Sequence, residues 1–160
     1  MKKINLTTSF TVFDNLNELS EELKNLFNEA IKIRNTAYAP YSKFQVGCAI
    51  LLDNNKIVTG SNQENAAYPS GLCAERVAIY SAASQYPKSK IVTIVISARS
   101  ENKIVDKAVA PCGACRQSIA EYETKQDKAI QIYFSGETGD IIKADSLKDL
   151  LPLGFDKTYL

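Results

Sequence analysis

The 160-residue chain contains no histidine and no tryptophan, and it has only one methionine and four cysteines. The absence of histidine excludes every metal site and every acid–base dyad that depends on imidazole. A transition-metal site in this chain must therefore use cysteine thiolates, with carboxylate or water completing it. No apolar run is long enough to span a bilayer, and the net charge of +1 gives no electrostatic reason to expect a nucleic-acid or membrane partner.

The N-terminal segment begins with basic residues but lacks the continuous apolar run of a signal peptide. We therefore expect a cytoplasmic protein. Because disulfides are rare in that compartment, the Cys-x-x-Cys pair is expected to be metal-binding or redox-active. The length and the 45% apolar content predict one globular domain covering residues 1–160. Residues 1–15 form an N-terminal extension to which the sequence assigns no role.

Hydrophobic periodicity predicts an alternation of helices and strands. An apolar stripe at helical spacing predicts a helix over residues 17–38, and alternation predicts a hairpin over residues 44–60. Helices are predicted at residues 73–84 and 112–122, and a short one after Ser146; the mostly apolar residues 91–98 are typical of a central strand. With further strands at residues 129–134 and near Ile141, the order predicts a three-layer α/β/α sandwich with a mixed five-stranded sheet.

Three of the four cysteines lie in two short segments, Cys-Ala-Glu-Arg at 73–76 and Pro-Cys-Gly-Ala-Cys at 111–115. Each segment opens a predicted helix, where free N–H groups and the helix dipole favour thiolate. Zinc accepts such ligands, and three protein ligands plus a water is its catalytic arrangement. We therefore predict one zinc ion per chain, bound by Cys73, Cys112 and Cys115. Glu75 is the predicted acid–base group beside the open fourth position.

A Zn²⁺ ion with three thiolate ligands carries a net charge of −1, so it lowers the pKa of a bound water only weakly. Arg76 lies one helical turn after Cys73 and is the cation that we expect to withdraw charge from the sulfurs. A non-catalytic, zinc-stabilised module is the alternative. Such a module would need a fourth protein ligand, yet Cys48 alternates with apolar neighbours in a predicted strand and is expected to be buried.

The two cysteine segments match the zinc-deaminase signature in its three-cysteine form. Here the sequence resembles the cytidine deaminase family, specifically its small, three-cysteine, homotetrameric type. The resemblance spans roughly residues 30–155 and rests on segments that occur in the family's order. They are YAPYSKFQVG at 38–47, NQENAAY at 62–68, PCGACRQ at 111–117 and LLPLGF at 150–155.

The resemblance implies the same α/β/α fold, the same three zinc ligands and a proton-shuttling Glu75. Asn62 and Glu64 are implied to hydrogen-bond the ribose. The remaining implied substrate contacts are Phe44 against the pyrimidine, the backbone N–H of Ala74 to the base carbonyl, and Tyr68, which lines the site or reaches a neighbouring subunit. Phe155 resembles an aromatic residue that a neighbouring subunit inserts into the pocket, which implies a homotetramer with shared active sites.

The expected activity is therefore hydrolytic deamination of free cytidine and 2′-deoxycytidine to uridine and 2′-deoxyuridine, with release of ammonia, in pyrimidine salvage. One alternative substrate, on the same scaffold, is a larger aminopyrimidine nucleoside such as blasticidin S; the implied ribose contacts of Asn62 and Glu64 favour cytidine. The near-neutral charge argues against a nucleic-acid base as substrate.

Overall fold

A six-stranded mixed sheet forms the centre of the computed structural model, which describes residues 1–160. The helices are α1 (Glu21–Arg34), α2 (Ala74–Gln85), α3 (Gly113–Gln126) and α4 (Leu147–Leu150). The strands are β1 (Thr11–Phe13), β2 (Phe44–Leu52), β3 (Ile57–Ser61), β4 (Ile91–Ser100), β5 (Gln131–Ser135) and β6 (Ile141–Ala144). None of the helices combines the length and the apolarity that crossing a membrane requires.

The strand order in space is β1-β6-β5-β4-β2-β3. The β4–β5 pair is parallel, as expected for strands joined through a helix, and the other pairs are antiparallel. Strand β4 is buried on both faces over most of its length, which confirms the prediction of a central strand. The mixed sheet is confirmed, but its predicted count of five strands is wrong.

The sixth strand comes from the N-terminal extension. Val12 of β1 lies opposite Ile142 of β6 in antiparallel register. Phe13 is half-buried and stacks on Tyr133, with the ring centroids 6.3 Å apart. Burial of this aromatic ring, together with the unpaired edge of β6, accounts for strand structure in a segment whose sequence alternates only weakly.

Helices cover both faces of the sheet, which confirms the three-layer architecture. On one face, α1 packs Leu26, Phe27 and Ala30 against strand residues that include Val95. On the other face, α2, α3 and α4 bury the larger core cluster. Glycines allow the helices to lie close to the sheet. A Cβ at Gly47 would lie 2.0 Å from the carbonyl oxygen of Ala30 in α1.

Helix α1 is shorter than the predicted range of residues 17–38. Residues Leu16–Glu18 form a separate 3₁₀ turn, and the side chain of Ser20 accepts a hydrogen bond from the N–H of Leu23, so α1 begins after Ser20. At its other end, Tyr38 leaves the helix to form a β-bridge with Gln63. Ser146 caps α4, as predicted, and accepts from the N–H of Lys148 at 3.1 Å.

Candidate active site

Two helix N-termini bring three cysteine side chains together. Cys73 is the N-cap residue of α2, Cys112 is the N-cap of α3, and Cys115 lies in the first turn of α3. Neither N-cap cysteine uses its side chain to cap its helix, so both sulfurs are available to a ligand. The three sulfurs lie within 4.8 Å of one another, and the Sγ atoms of Cys73 and Cys112 are 3.7 Å apart.

This geometry fits a zinc ion. Zinc–sulfur bonds of about 2.3 Å in tetrahedral geometry place two ligand sulfurs about 3.8 Å apart, close to the separation of Cys73 and Cys112. Cys48 lies outside the group and is fully buried in the core cluster, as predicted. The protein therefore offers three thiol ligands and no fourth one nearby, which leaves a position for an exchangeable ligand.

The thiols carry charge unequally. The pKa of Cys73 is lowered to about 5, chiefly by hydrogen bonding with Cys115, with further contributions from Arg76 and Cys112. The pKa of Cys115 is raised by that same interaction, by burial and by the nearby Glu75 carboxylate. The lowered pKa favours the thiolate form of Cys73, which is the form that binds metal.

Arg76 lies against the thiolate, as predicted from its position one turn after Cys73. Its Nη2 atom is 3.9 Å from the Sγ of Cys73 and 3.5 Å from the carbonyl oxygen of Gly71. Its Nε atom is buried and has no hydrogen-bond partner within the chain. The guanidinium is thus held beside the sulfur, and its Nε–H group remains free to donate a further hydrogen bond.

Glu75 is a buried acid next to the thiols. Its side chain lies in the first turn of α2, and the residue is only 5% exposed. Burial raises the pKa of Glu75, and the negative charge of Cys73 raises it further. A carboxyl group whose pKa lies above its usual range can take up and release a proton closer to neutral pH, as a general acid–base requires.

A cleft of about 500 Å³ opens beside Cys73 and Arg76. Its walls include Asn62, Glu64 and Tyr68, three of the residues predicted to bind substrate. The volume falls within the usual range of small-molecule sites. The structure thus brings these predicted residues next to the thiol group.

The amide of Asn62 and the carboxylate of Glu64 are fixed by the chain around them. Asn62 accepts a hydrogen bond at Oδ1 from the N–H of Val46 and donates from Nδ2 to the carbonyl of Phe44. Glu64 accepts at Oε2 from the N–H groups of Tyr41 and Ser42, at 2.9 and 3.3 Å. Burial is the largest single effect on the pKa of Glu64 and raises it. The side-chain hydrogen bond from Ser42, the backbone bonds from Tyr41 and Ser42 and the charge of Lys43 together outweigh burial and lower the pKa, which favours the ionised carboxylate.

The backbone amides of Tyr41 and Ser42 are site features that the sequence analysis missed. The signal for them was Pro40 followed by a tight turn, in which Lys43 adopts a left-handed conformation with φ of 56°. A second missed feature is the closure of the loop between Gln63 and Leu72, whose backbones exchange two 2.9 Å hydrogen bonds. This closure holds Tyr68 at the rim of the cleft.

The four other predicted substrate contacts differ in where they lie: Tyr68 is at the mouth of the cleft, and Phe44, Ala74 and Phe155 are outside its lining. Tyr68 is 78% exposed, and its ring lies 6.3 Å from that of Tyr41 at the cleft mouth. Phe44 and Ala74 do not line the cleft; Ala74 is fully buried as the first residue of α2. Phe155 lies outside the cleft of its own chain, is 56% exposed and stacks on Tyr159.

Comparisons with known proteins agree with this geometry. Residues 20–130 match the family described as "Cytidine and deoxycytidylate deaminase zinc-binding region". The chain is 39% identical to a cytidine deaminase from Halalkalibacterium halodurans over 130 residues, which cover 81% of this chain and 91% of that protein. It is also 39% identical to a cytidine deaminase from Sporosarcina psychrophila over 140 residues, 87% of this chain and 95% of that protein.

A solved structure gives the same result for the fold. The crystal structure of cytidine deaminase from Burkholderia pseudomallei superposes with a TM-score of 0.71 at 32% identity, covering 86% of this chain and all of that one. The fold and the three converging thiols define the class of zinc-dependent hydrolytic deaminases. Within that class, the chain belongs to the cytidine and deoxycytidylate deaminase family.

Proposed function

We propose that the protein hydrolyses free cytidine and 2′-deoxycytidine to uridine and 2′-deoxyuridine with release of ammonia. The observation that carries this proposal is the convergence of three sulfurs within 4.8 Å of one another, beside the buried Glu75 and an open cleft. The similar proteins from Halalkalibacterium halodurans and Sporosarcina psychrophila, both named cytidine deaminase, support the choice of substrate.

Cys73, Cys112 and Cys115 are the proposed zinc ligands, with one ion per chain. When bound there, zinc supplies the Lewis acidity that makes a water nucleophilic near neutral pH. Arg76 withdraws negative charge from the Cys73 sulfur through its guanidinium, which is 3.9 Å away. This contact offsets part of the surplus charge that three thiolates bring to the site.

Glu75 carries the protons in the proposed reaction. Its carboxylate removes a proton from the attacking water and delivers it to N3 of the pyrimidine, which makes C4 electrophilic. It then transfers the second water proton to the departing amino group, which leaves as ammonia, while the water oxygen becomes the C4 carbonyl of uridine. The burial that raises the pKa of Glu75 favours its acting in both directions.

The cleft walls select the nucleoside. Asn62 and Glu64 are the proposed partners of the ribose hydroxyls, and their fixed orientation lowers the cost of binding. Phe44 and the Ala74 N–H group are the proposed contacts of the pyrimidine, and Tyr68 is proposed to line the site or to reach a neighbouring subunit. For Phe44, the support is the family resemblance, because its side chain lies outside the lining of the cleft.

The proposed assembly is a homotetramer with shared sites. Phe155 is exposed and lies outside the cleft of its own chain, as a residue that completes a neighbouring site would be. The proposed cellular role is pyrimidine salvage by a single-domain cytoplasmic enzyme, a setting in which the three thiols stay reduced and able to bind metal.

The deciding experiment follows the ultraviolet absorbance of cytidine incubated with zinc-loaded protein, with the Glu75→Gln variant in parallel. Uridine and ammonia are expected in equal amounts with the wild-type protein only. Failure to convert cytidine or deoxycytidine, with zinc bound, would contradict the proposal. Conversion of blasticidin S in its place would assign the larger aminopyrimidine nucleoside as substrate.

A further inference from the structure

Arg116 and Gln117 directly follow the zinc-site cysteine Cys115, yet both side chains reach the C-terminal segment, defined here as residues 150–156. Arg116 donates from Nη1 to the carbonyl of Leu150 and from Nε to the carbonyl of Pro111, both at 2.8 Å. Gln117 donates from Nε2 to the carbonyl of Phe155 at 2.9 Å. The two residues therefore join α3 to the segment that carries Phe155.

The guanidinium of Arg116 connects two distant parts of the chain through one rigid, planar group. One is Pro111, the residue before the proposed zinc ligand Cys112. The other is Leu150, the last residue of α4. Because both carbonyls are bonded to the same plane, the loop that presents Cys112 and the start of the C-terminal segment cannot move independently.

Helix α4 is anchored to α3 at both ends. The carboxylate of Glu123 accepts from the N–H of Leu147, where α4 begins, at 3.0 Å, and Arg116 bonds to Leu150, where it ends. With only four residues, α4 has little stability of its own. Its position is therefore set by α3, the helix that begins at the zinc-site cysteines.

Beyond α4, the C-terminal segment has few contacts that fix its path. Leu153 has a left-handed backbone with φ of 57° and is 83% exposed. The bond from Gln117 to Phe155 is the one hydrogen bond that joins residues 152–155 to the rest of the chain. Removing this donor frees the backbone at Phe155.

We propose that Arg116 and Gln117 are positioning residues, which fix the C-terminal segment on α3 so that Phe155 is presented to the site of a neighbouring subunit, and so determine how tightly the nucleoside binds there. This inference rests on the proposed function, because it acts through the substrate contact assigned to Phe155. It gives the Arg-Gln pair at the end of the PCGACRQ segment a role distinct from metal binding. The Gln117 side chain bonds only to the C-terminal segment, whereas the Arg116 side chain also bonds to the loop at Pro111.

The main test is Gln117→Glu, which keeps the size of the side chain but replaces the donor with an oxygen facing the Phe155 carbonyl. Loss of one hydrogen bond predicts an increase in KM for cytidine of about two- to tenfold, with kcat and zinc content unchanged. Glu121→Gln is the matched control, because it makes the reverse change at an exposed position of the same helix. Its KM is expected to equal that of the wild type.

Comparing Arg116→Lys with Gln117→Glu distinguishes the role of Arg116 from that of Gln117. A single ammonium group cannot reproduce both bonds of the planar guanidinium, so this variant is expected to bind zinc more weakly as well as to raise KM. Gln117→Glu is expected to raise KM alone. Equal effects of the two variants on zinc affinity would contradict the assignment.

The absence of tryptophan supplies a readout that is independent of activity. Tyr159→Trp places the only indole of the chain against Phe155, whose ring is 5.6 Å from that of Tyr159. Gln117→Glu in this background is expected to lower the fluorescence anisotropy of that indole. An active Gln117→Glu enzyme with unchanged KM overturns the inference whatever the fluorescence shows, whereas an inactive zinc-loaded wild type overturns the proposed function as well.

Discussion

The carboxylate of Glu64 accepts a 2.9 Å hydrogen bond from the backbone N–H of Tyr41. This bond joins the loop that forms one wall of the cleft to the turn before β2. Residues 23 positions apart are thereby held as one surface, on which the ribose is proposed to bind.

This bond predicts a pH-dependent contribution of Glu64 to stability. The folded pKa of Glu64 is lowered, so the contribution is present above the ordinary carboxyl pKa and is lost as the pH falls through the lower folded value. We expect wild type to exceed Glu64→Gln in unfolding free energy at pH 7, with the difference shrinking toward pH 3. Urea unfolding of both proteins at several pH values measures it, and a difference that grows on acidification would contradict the assignment.

Glu75→Gln is predicted to retain zinc and lose turnover. The amide keeps the shape of the side chain but can neither take up nor deliver a proton, so kcat should fall by about 10²-fold or more. Metal content and kcat of the purified variant provide the test. Rates close to wild type would eliminate Glu75 as the proton carrier.

Arg76→Gln is predicted to change both zinc affinity and the pH–rate profile. The guanidinium next to Cys73 lowers the pKa of that thiol, so its loss leaves the sulfur more basic and the site more negative. A competitive chelator titration and kcat/KM across pH 5–9 would measure these changes. Lys88→Gln, which removes the same charge at an exposed position, is the control; identical behaviour of the two variants would refute the role of Arg76.

Gly47→Ala is predicted to destabilise the fold by about 3 kcal/mol or more, because the new Cβ would lie 2.0 Å from the carbonyl oxygen of Ala30 and the backbone of α1 would have to move. Gly113→Ala is the matched control. A Cβ at Gly113 meets nothing within 4 Å, and alanine in a helix gains up to about 1 kcal/mol over glycine. The thermal unfolding midpoints of the two variants provide the comparison. Equal midpoints would show that the backbone of α1 can shift to accommodate the new Cβ.

The parts of the fold that the sequence predicted are those with strong local patterns. The alternation of β2, the apolar run of β4 and the cysteine-led starts of α2 and α3 all depend on neighbouring residues. Strand β1, by contrast, depends on a strand that is distant in the sequence. Its three residues form a strand because β6, over 120 positions later, offers an open edge, and no local pattern contains that information.

The candidate site divides in the same way. The spacing of Cys112 and Cys115 on one helical turn, and of Arg76 after Cys73, predicted which side chains meet. By contrast, both hydrogen bonds of the Asn62 amide are made to backbone groups of β2. The sequence does not show that these groups lie beside Asn62. The hydrogen bonds from Arg116 and Gln117 to the C-terminal segment are accepted by backbone carbonyls. Every residue has such a carbonyl, so the residue types in that segment could not predict these bonds.

Strand β1 also limits how copies of the chain can associate. It covers part of β6 and replaces an open edge with one that is only three residues long. An edge so short offers a second chain few free N–H and C=O groups with which to continue the sheet. Copies of the chain that joined edge to edge at β1 would therefore gain little backbone hydrogen bonding from the contact.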